Sequence, residues 1–372
     1  MINFRDTVAT IRDALRHKFE KLEKTRDCTQ ENTPMHLKIF HKKYLVYKQC
    51  RNPNLIQIQS PALLDESSKT MSTFFKLSLS KTALLISLIS VNISGFASSS
   101  LENLEQSSGG RLGVSALDTN TGHSIQYRAS ERFPFASTFK FMLAAAVLKK
   151  SMTNPGLLTE IIHYQKSDVL WGDWNPETSK DQNIKNGMTV SDLCAAAVSE
   201  SDDTAANLLI KKLGGPQAVT TFARSIGDQD FRLDRIEPAL NSAIPGDQKD
   251  TTTPKAMTQD LNKILLGNIL GASQIKLLET WLKNCSTGDK RIRASVPKFW
   301  TVGDKTGTGD YGTTNDIGII WPPGCKPILI TVYLAQNKQD APHQDAVIAS
   351  ATKIILDQLA QSSDACIKKQ MS

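Results

Sequence analysis

The chain has 372 residues, of which 40% are hydrophobic and 22% charged, values ordinary for a globular protein. Its formal net charge of +7 comes from the front, because residues 1–70 hold 13 Lys or Arg against 8 Asp or Glu and residues 71–97 add two lysines. The remainder is formally neutral, which gives no electrostatic case for nucleic-acid binding. The front mixes acidic with basic residues and has no recognisable motif, so a nucleic-acid-binding arm is not favoured there either.

Two patterns precede the neutral part of the chain. Residues 71–97 have the features of a secretory signal peptide: Met71 is followed by two lysines, a short apolar run over 82–93 and the small residues Gly95 and Ala97 at the cleavage positions. The run is too short for a comfortable membrane span, and no cysteine follows it as a lipid anchor would need. Within the first 70 residues, apolar side chains recur at the spacing of a helix or short coiled coil: Phe4, Val8, Ile11, Leu15, Phe19 and Leu22.

Signal peptides belong at the start of a chain. The sequence therefore predicts that Met71 is the true initiator and that residues 1–70 are an upstream extension outside the mature protein. A genuine extension that carries the helical stripe is the alternative. The mature protein is expected to be exported, to the periplasm or the medium, without stable membrane association after signal cleavage.

The neutral region shows strand patterns, then helical patterns, then strand patterns again. Alternating residues over 111–116 and 123–128 flank a turn and predict a hairpin. Helical stretches fill roughly 137–283, strand-like runs return from residue 299, and a helical run closes the region.

This order predicts the α/β class, in its α+β form: one antiparallel sheet, flanked by helices and built from both ends of the region, with an all-helical insertion. We expect a single catalytic domain over 98–372. Its α/β part would span about 98–132 and 284–372, and its helical part about 133–283.

The motif Ser137-Thr-Phe-Lys140 begins an apolar, Ala- and Leu-rich run. On a helix this spacing places the hydroxyl and the amine on one face, one turn apart. A serine is a weak nucleophile until a neighbouring base takes its proton, and a partly desolvated lysine can be tuned for that task. Ser-x-x-Lys alone is weak evidence, because many surface helices carry it.

Two more motifs follow downstream. Ser201-Asp-Asp203 precedes a helical run, and Lys305-Thr306-Gly307 follows a strand-like run. The glycine lets a substrate backbone approach the strand edge closely, and the lysine supplies a cation for a substrate carboxylate.

A fourth segment lies between these motifs. It carries Glu237-Pro238, then Asn241, and is flanked by Arg235 and Asp250. This segment joins Ser-x-x-Lys, Ser-Asp-x and Lys-Thr-Gly as a fourth motif. The order and spacing of the four motifs, over about residues 101–359, resemble those of the class A serine β-lactamases, which belong to the penicillin-binding protein and β-lactamase superfamily. The resemblance implies the β-lactamase/transpeptidase-like fold, with an active site in the cleft between its two parts. It also implies an Arg235–Asp250 pair that closes this loop and a cis bond before Pro238.

The same resemblance implies a mechanism for hydrolysing β-lactam antibiotics. Ser137 would attack the lactam carbonyl and form an acyl-enzyme, and Lys140 and Ser201 would relay protons to the ring nitrogen. Glu237 and Asn241 would position and deprotonate the water that releases the acyl group. Whether Lys140 or Glu237 first takes the serine proton is disputed for the family.

The remaining contacts with the substrate follow from the third motif. By resemblance, Lys305 and Thr306 would hold the substrate carboxylate beside Gly307. The backbone N–H groups of Ser137 and Thr308 would stabilise the developing oxyanion.

Three positions need separate interpretation. Asp203 stands where the family has Asn, and an ionised Asp has no hydrogen to donate to the substrate's side-chain carbonyl, so we expect weakened or altered substrate preference. Thr314 stands where many class A enzymes carry an arginine, and Arg291 instead matches an alternative arginine of the carbapenem-hydrolysing branch; a solvated basic turn is the other reading of Arg291. Trp174 is a candidate aromatic wall of the cleft, although Trp171 competes and simple packing is as good an explanation.

Other residues are expected to be structural. Asp202 is expected to cap or bond nearby backbone, and Cys194 to be a buried free thiol, because its partner position in some relatives is Ala144 here. Whether other cysteines pair is open. The histidines show no metal-ligand spacing, so neither a metal nor another cofactor is expected.

Two rival functions remain open from sequence. A penicillin-binding D,D-peptidase would share the first three motifs and release its acyl group slowly, which the Glu237 segment argues against. A catalytically impaired or silent binding protein with the same fold is suggested only by Asp203. The predicted partner is a small β-lactam, with no nucleic acid, and the predicted state is a monomer.

Overall fold

The computed structural model describes residues 36–41, 44–49, 56–59, 100–361 and 365–371. The helical stripe predicted within the first 22 residues and the predicted signal peptide lie outside the described residues. The chain divides into two compact units, Met1–Thr82 and Ala83–Ser372. The first contains an antiparallel three-stranded sheet in the order β1-β2-β3, with β1 His36–His41, β2 Tyr44–Gln49 and β3 Ile56–Gln59.

The second unit is organised around a five-stranded antiparallel sheet, whose strands come from both ends of the unit. Its order is β10-β11-β12-β4-β5, with β4 Arg111–Asp118, β5 Ser124–Tyr127, β10 Thr301–Gly309, β11 Thr313–Trp321 and β12 Ile328–Ala335. Four two-residue strands form two small antiparallel pairs, β6 with β9 and β7 with β8: β6 Phe133–Pro134, β7 Ile161–Ile162, β8 Met188–Thr189 and β9 Thr251–Thr252. The predicted hairpin and the predicted antiparallel sheet are confirmed.

Helices precede, separate and follow these strands. The first, α1, covers residues 100–108. The others are α2 Phe139–Ser151, α3 Asp181–Asn186, α4 Val190–Ser199, α5 Asp203–Leu213, α6 Pro216–Ser225, α7 Pro254–Leu261, α8 Ala272–Lys283, α9 Asp345–Gln361 and α10 Ala365–Met371. A π-helical turn, Asn262–Leu266, continues α7.

The sheet separates two hydrophobic clusters, as β12 illustrates. Successive side chains of a strand point to opposite faces. Ile330 and Val332 therefore join the cluster that includes α9, whereas Leu329 and Tyr333 join the cluster that includes the helical part. Because both faces of the sheet are covered, its central strands are buried along nearly their whole length.

Helix α2 is buried almost throughout, including its polar residue Lys140. A helix that is apolar on all sides belongs inside a protein, so its Ala- and Leu-rich sequence fits this central place. A charge on such a helix is costly unless it is paired and hydrogen-bonded, which makes the surroundings of Lys140 decisive for the site.

The structure also assigns the cysteines. Cys325, in the turn before β12, forms a disulfide with Cys366 of α10. Cys194 is free and buried, as predicted, and so is Cys285. Among the residues that the structure describes, none of the helices is both long and apolar enough to cross a membrane.

Candidate active site

The Ser137 hydroxyl lies on a tight turn, Ala136–Thr138, that leads directly into α2. The Asn315 side chain on β11 fixes this turn, since its Nδ2 donates to Pro134 O at 2.8 Å and to Phe135 O at 3.1 Å. Gly307 on β10 packs against the same turn, where a Cβ would lie 2.6 Å from Phe135 O. The glycine of the third motif is therefore required for the close approach of this strand to the nucleophile.

The Lys140 side chain is fully buried and its Nζ is surrounded by oxygen atoms. It lies 2.5 Å from Asp203 Oδ1, 2.8 Å from Ser201 O and 3.0 Å from Glu237 Oε1. The Ser201 hydroxyl is farther away, at 3.5 Å. Two carboxylates and a carbonyl thus satisfy the charge that α2 carries into the core.

The Ser201 hydroxyl stands between two lysines. Lys305 Nζ on β10 donates to Ser201 Oγ at 2.9 Å and to Thr306 O at 2.9 Å, opposite the Lys140 side. Ser201 has a φ of 60°, an uncommon conformation for a residue other than glycine, and this turn directs its hydroxyl toward both amines. The first three motifs therefore meet at one point.

Asp202 explains how the middle motif is held. Its Oδ1 accepts from Ala205 N at 2.8 Å and caps α5, and its Oδ2 accepts from Thr178 N at 2.8 Å. The predicted capping role is confirmed. It places the neighbouring Asp203 at the first position of α5, facing Lys140.

Glu237 is 2% exposed and lies beside the nucleophile, with its Oε1 3.4 Å from Ser137 Oγ. Asn241 Nδ2 donates to Glu237 Oε2 at 2.6 Å. The main chain of Glu237 is anchored by Asn207 of α5, whose Oδ1 accepts from Glu237 N at 3.0 Å and whose Nδ2 donates to Glu237 O at 2.9 Å. The carboxylate is therefore fixed from both its backbone and its side chain.

The loop that carries Glu237 is closed by the predicted ion pair. Arg235 Nε lies 2.5 Å from Asp250 Oδ2, and Asp250 Oδ1 accepts from the backbone N–H groups of Asp234 at 2.7 Å and Arg235 at 2.9 Å. Asp250 is fully buried and the Arg235 side chain is 25% exposed, so the pair is shielded from water on its acidic side only. The cis bond between Glu237 and Pro238 is also confirmed.

Burial and neighbouring charges shift the ionisation of three groups. Burial raises the pKa of Glu237 to about 7, with Lys140 opposing and Asp203 adding to the rise. Burial acts to lower the pKa of Lys140, but the charges of Glu237 and Asp203 outweigh it and raise that pKa. The pKa of Lys305 is lowered to about 8, chiefly by burial. The interaction with Cys285 opposes this fall, and the charge of Lys140 adds to it. Groups poised near neutrality in a cleft are typical of catalytic sites.

These side chains open onto a cleft of about 360 Å³. Nine residues line it: Ser137, Trp174, Ser201, Asp203, Asn241, Thr287, Arg291, Thr306 and Thr308. One end of the cleft is rich in hydroxyl groups beside a buried lysine, and the other is acidic and aromatic. The arrangement suits a small ligand with an anionic group at the hydroxyl-rich end.

Arg291 supports the hydroxyl-rich end of the cleft mainly through the groups that it contacts. Its Nη2 donates to Thr308 Oγ1 at 2.8 Å and its Nη1 to Gly307 O at 2.9 Å, while its Nε lies 2.7 Å from Asp345 Oδ1. The Arg291 side chain is 8% exposed. It therefore braces the end of β10 and leaves only an edge toward the cleft.

Trp174 is 57% exposed and lines the cleft, whereas Trp171 does not line it. The Trp174 indole N–H donates to Glu200 O at 2.6 Å, and the backbone carbonyl of Trp174 accepts from Asp203 N at 2.9 Å. Of the two candidate tryptophans, Trp174 is thus the one at the mouth of the cleft.

Three residues of the site were not identified from the sequence. Asn207 anchors Glu237, Asn315 fixes the nucleophile turn, and Thr287 Oγ1 lies 2.5 Å from Thr306 Oγ1 at the hydroxyl-rich end. Asn207 follows Asp203 by one helical turn on α5, which is the one signal that could have revealed it. Thr287 and Asn315 lie in segments without such a signal.

The chain is similar to known proteins over at least 70% of its length. The model of the β-lactamase enzyme family matches residues 97–359. The β-lactamase OXY-1 of Klebsiella oxytoca is 52% identical over 259 residues, covering 70% of this chain and 88% of that protein. The carbapenem-hydrolysing β-lactamase KPC of the same species is 48% identical over 292 residues, covering 76% and 98%. The crystal structure of a β-lactamase from Desulfarculus baarsii has a TM-score of 0.70 at 48% identity, covering 72% of this chain and 98% of that one.

Proposed function

Because the chain belongs to the β-lactamase enzyme family, and within it to the class A serine enzymes, we propose that its cleft hydrolyses β-lactams with Ser137 as nucleophile and Glu237 as the base that activates water. One observation carries the proposal: a buried carboxylate lies 3.4 Å from the hydroxyl of Ser137. A β-lactam is a strained cyclic amide, and the reaction passes through a serine acyl-enzyme that water must release.

Acylation uses the Ser137 turn and the groups around Ser201. The Ser137 Oγ–carbonyl bond forms while the ring C–N bond breaks, and the Ser201 hydroxyl gives its proton to the ring nitrogen. Lys305 supports this step because it donates to Ser201 Oγ and leaves the hydroxyl hydrogen free for the substrate. The N–H groups of Ser137 and Thr308 would receive the developing negative charge.

The hydroxyl-rich end of the cleft would bind the substrate carboxylate. Lys305 is buried and cationic there, and the hydroxyls of Thr306, Thr287 and Thr308 line the wall. Arg291 orients the Thr308 hydroxyl and adds positive charge behind it. Trp174 would contact the substrate side chain from the opposite side, next to Asp203.

Deacylation needs an ionised base and a place for one water. Glu237 is held by Asn207 and Asn241, and the Asn241 Oδ1 is buried without a hydrogen-bond partner among the described residues. That oxygen is a suitable second contact for the attacking water, which would lie between Glu237 and the ester of Ser137.

The test is turnover of benzylpenicillin and of a chromogenic cephalosporin by the full chain and two variants. Ser137→Ala should abolish hydrolysis and covalent labelling, whereas Ser151→Ala, a buried serine on the same helix, should retain both. A stoichiometric burst followed by a stall would point to a D,D-peptidase. Absence of any acylation would point to a silent binding protein.

We also propose that residues 98–372 are the mature enzyme, that residues 71–97 direct its export, and that the exported enzyme is a monomer. The family match starting at residue 97 supports this boundary. The disulfide between Cys325 and Cys366 supports export, because disulfides are typical of an oxidising compartment. Mass spectrometry of the protein recovered from the periplasm should give an N-terminus near residue 98. Recovery of the intact chain would contradict export by this segment.

A further inference from the structure

Asp203 occupies a position that the hydrolytic scheme does not require to be charged. Its Oδ1 lies 2.5 Å from Lys140 Nζ, while its Oδ2 lies 3.4 Å from Trp174 N at the wall of the cleft. The Asp203 side chain therefore links the wall of the cleft to the amine of Lys140. That amine is one of the two groups disputed as the base for acylation in this family, and the other is Glu237.

The oxygen atoms around Lys140 Nζ define its protonation state by geometry. Asp203 Oδ1, Ser201 O and Glu237 Oε1 lie at 2.5, 2.8 and 3.0 Å, and none of the three carries a hydrogen when the carboxyl groups are ionised. An ammonium has three donors and no acceptor, which matches three acceptors. A neutral amine would direct its lone pair at one of these oxygens and lose that contact.

We propose that Asp203 is a positioning residue that holds Lys140 as an ammonium ion, so that Glu237, and not Lys140, accepts the Ser137 proton during acylation. This inference rests on the proposed function, because it assigns the base within that reaction. Glu237 has the required geometry: its Oε1 lies 3.4 Å from Ser137 Oγ and 3.0 Å from Lys140 Nζ.

The charges that face Lys140 support the same assignment. Asp203 comes from the start of α5, Glu237 from the loop before Pro238, and the cation of Lys305 lies beyond the Ser201 hydroxyl. The two anions raise the pKa of Lys140 despite its burial. Asn at position 203 would keep the Oδ1 acceptor and remove one of these charges.

The proton balance of acylation closes through the same atoms. Ser137 Oγ bonds to the lactam carbonyl carbon and its proton passes to Glu237, while the ring C–N bond breaks. Ser201 gives its proton to the ring nitrogen and is reprotonated by the Lys140 ammonium across 3.5 Å. Glu237 then returns its proton to Lys140 across 3.0 Å and is again ionised for deacylation. Lys140 thus acts as the acid that reprotonates Ser201, and it is not the base that takes the Ser137 proton.

The experiment compares acylation in four forms of the full chain: wild type, Glu237→Gln, Asp203→Asn and the double variant. Acyl-enzyme formation with benzylpenicillin is followed by rapid quench and mass spectrometry. Glu237→Gln should acylate at least 100-fold more slowly than wild type, in the range expected for loss of a general base. The double variant should acylate at least tenfold faster than Glu237→Gln, because Lys140 is released to act as the base.

Two results would overturn the inference. One is Glu237→Gln acylating within tenfold of wild type, which would make Lys140 the base despite Asp203. The other is a double variant no faster than Glu237→Gln. Either result leaves the proposed function intact, which fails only if wild type does not hydrolyse the substrate or if Ser137→Ala still becomes acylated.

A pH profile tests the same idea without removing a catalytic residue. Asp203 raises the pKa of Glu237, so in Asp203→Asn the acid limb of the acylation rate should move to lower pH. Asp192→Asn removes an exposed carboxylate at the start of α4 and should leave the profile unchanged. An acid limb that stays in place in Asp203→Asn would contradict the inference, even if the double variant failed to fold.

Discussion

The anchoring of Glu237 by Asn207 offers a prediction whose size can be worked from the structure. Asn207→Ala removes two hydrogen bonds, one from Glu237 N at 3.0 Å and one to Glu237 O at 2.9 Å. Both are partly buried, so each is worth about 1 kcal/mol net, and their loss costs about 2 kcal/mol. For a domain of this size that corresponds to a melting temperature lower by roughly 4–8 °C.

The catalytic effect should exceed the effect on stability. Without Asn207 the carboxylate of Glu237 keeps only its side-chain contacts, and a displacement of about 1 Å of a catalytic group costs up to 10²-fold in rate. We therefore expect kcat for benzylpenicillin to fall by roughly 10- to 100-fold. Stopped-flow hydrolysis and a thermal melt of the same preparations measure both quantities.

A matched variant separates the two effects. Asn183→Ala on α3 also removes a partly buried side-chain hydrogen bond to backbone, the one to Glu177 O at 3.0 Å. It should lower the melting temperature modestly and leave kcat unchanged. If Asn207→Ala instead kept kcat within threefold of wild type while losing the expected stability, the backbone anchor would not be what positions Glu237.

Three further predictions follow from the site and its support. Since Glu237 must be ionised to act as a base and its pKa is raised to about 7, hydrolysis should decline as pH falls below about 7; a rate flat from pH 7 to pH 5 would contradict this. Gly307→Ala places a Cβ 2.6 Å from a backbone oxygen of the nucleophile turn and should slow acylation more than tenfold, whereas Gly156→Ala, with no atom closer than 3.9 Å, should not. The double variant Cys325→Ser and Cys366→Ser opens a link between residues 41 apart in sequence, so it should lose up to about 4 kcal/mol of stability by the chain-entropy estimate, seen as a lower melting temperature with unchanged kcat.

Much of the site could be predicted because its residues lie in short motifs with a local cause. Ser137 and Lys140 are one helical turn apart at the start of α2, and Asp202 has the side chain that caps the helix after it. The order of strand and helix patterns likewise predicted a sheet shared by both ends of the domain. In these cases the local pattern and the tertiary arrangement agree.

The contacts that set protonation could not be predicted in the same way. Lys140 meets Asp203 and Glu237 across 63 and 97 positions of sequence, and no spacing rule links residues so far apart. Asp203 was interpreted from sequence as a lost hydrogen-bond donor to the substrate, whereas the structure adds its ion pair with Lys140. The disulfide of Cys325 and Cys366 was open for the same reason, because cysteine pairing depends on tertiary proximity.

The conformations of two residues in or next to the motifs show where local rules fail. Ala136, before the nucleophile, has a φ of 45°, and Ser201 has a φ of 60°. Residues with a Cβ seldom adopt such angles, which cost on the order of 1–3 kcal/mol. The surrounding contacts impose them: the Asn315 side chain on the first turn, and Lys140 and Lys305 on the second. Both strained turns carry hydroxyls of the reaction, so the positions that sequence propensity describes worst are those whose geometry the chemistry requires.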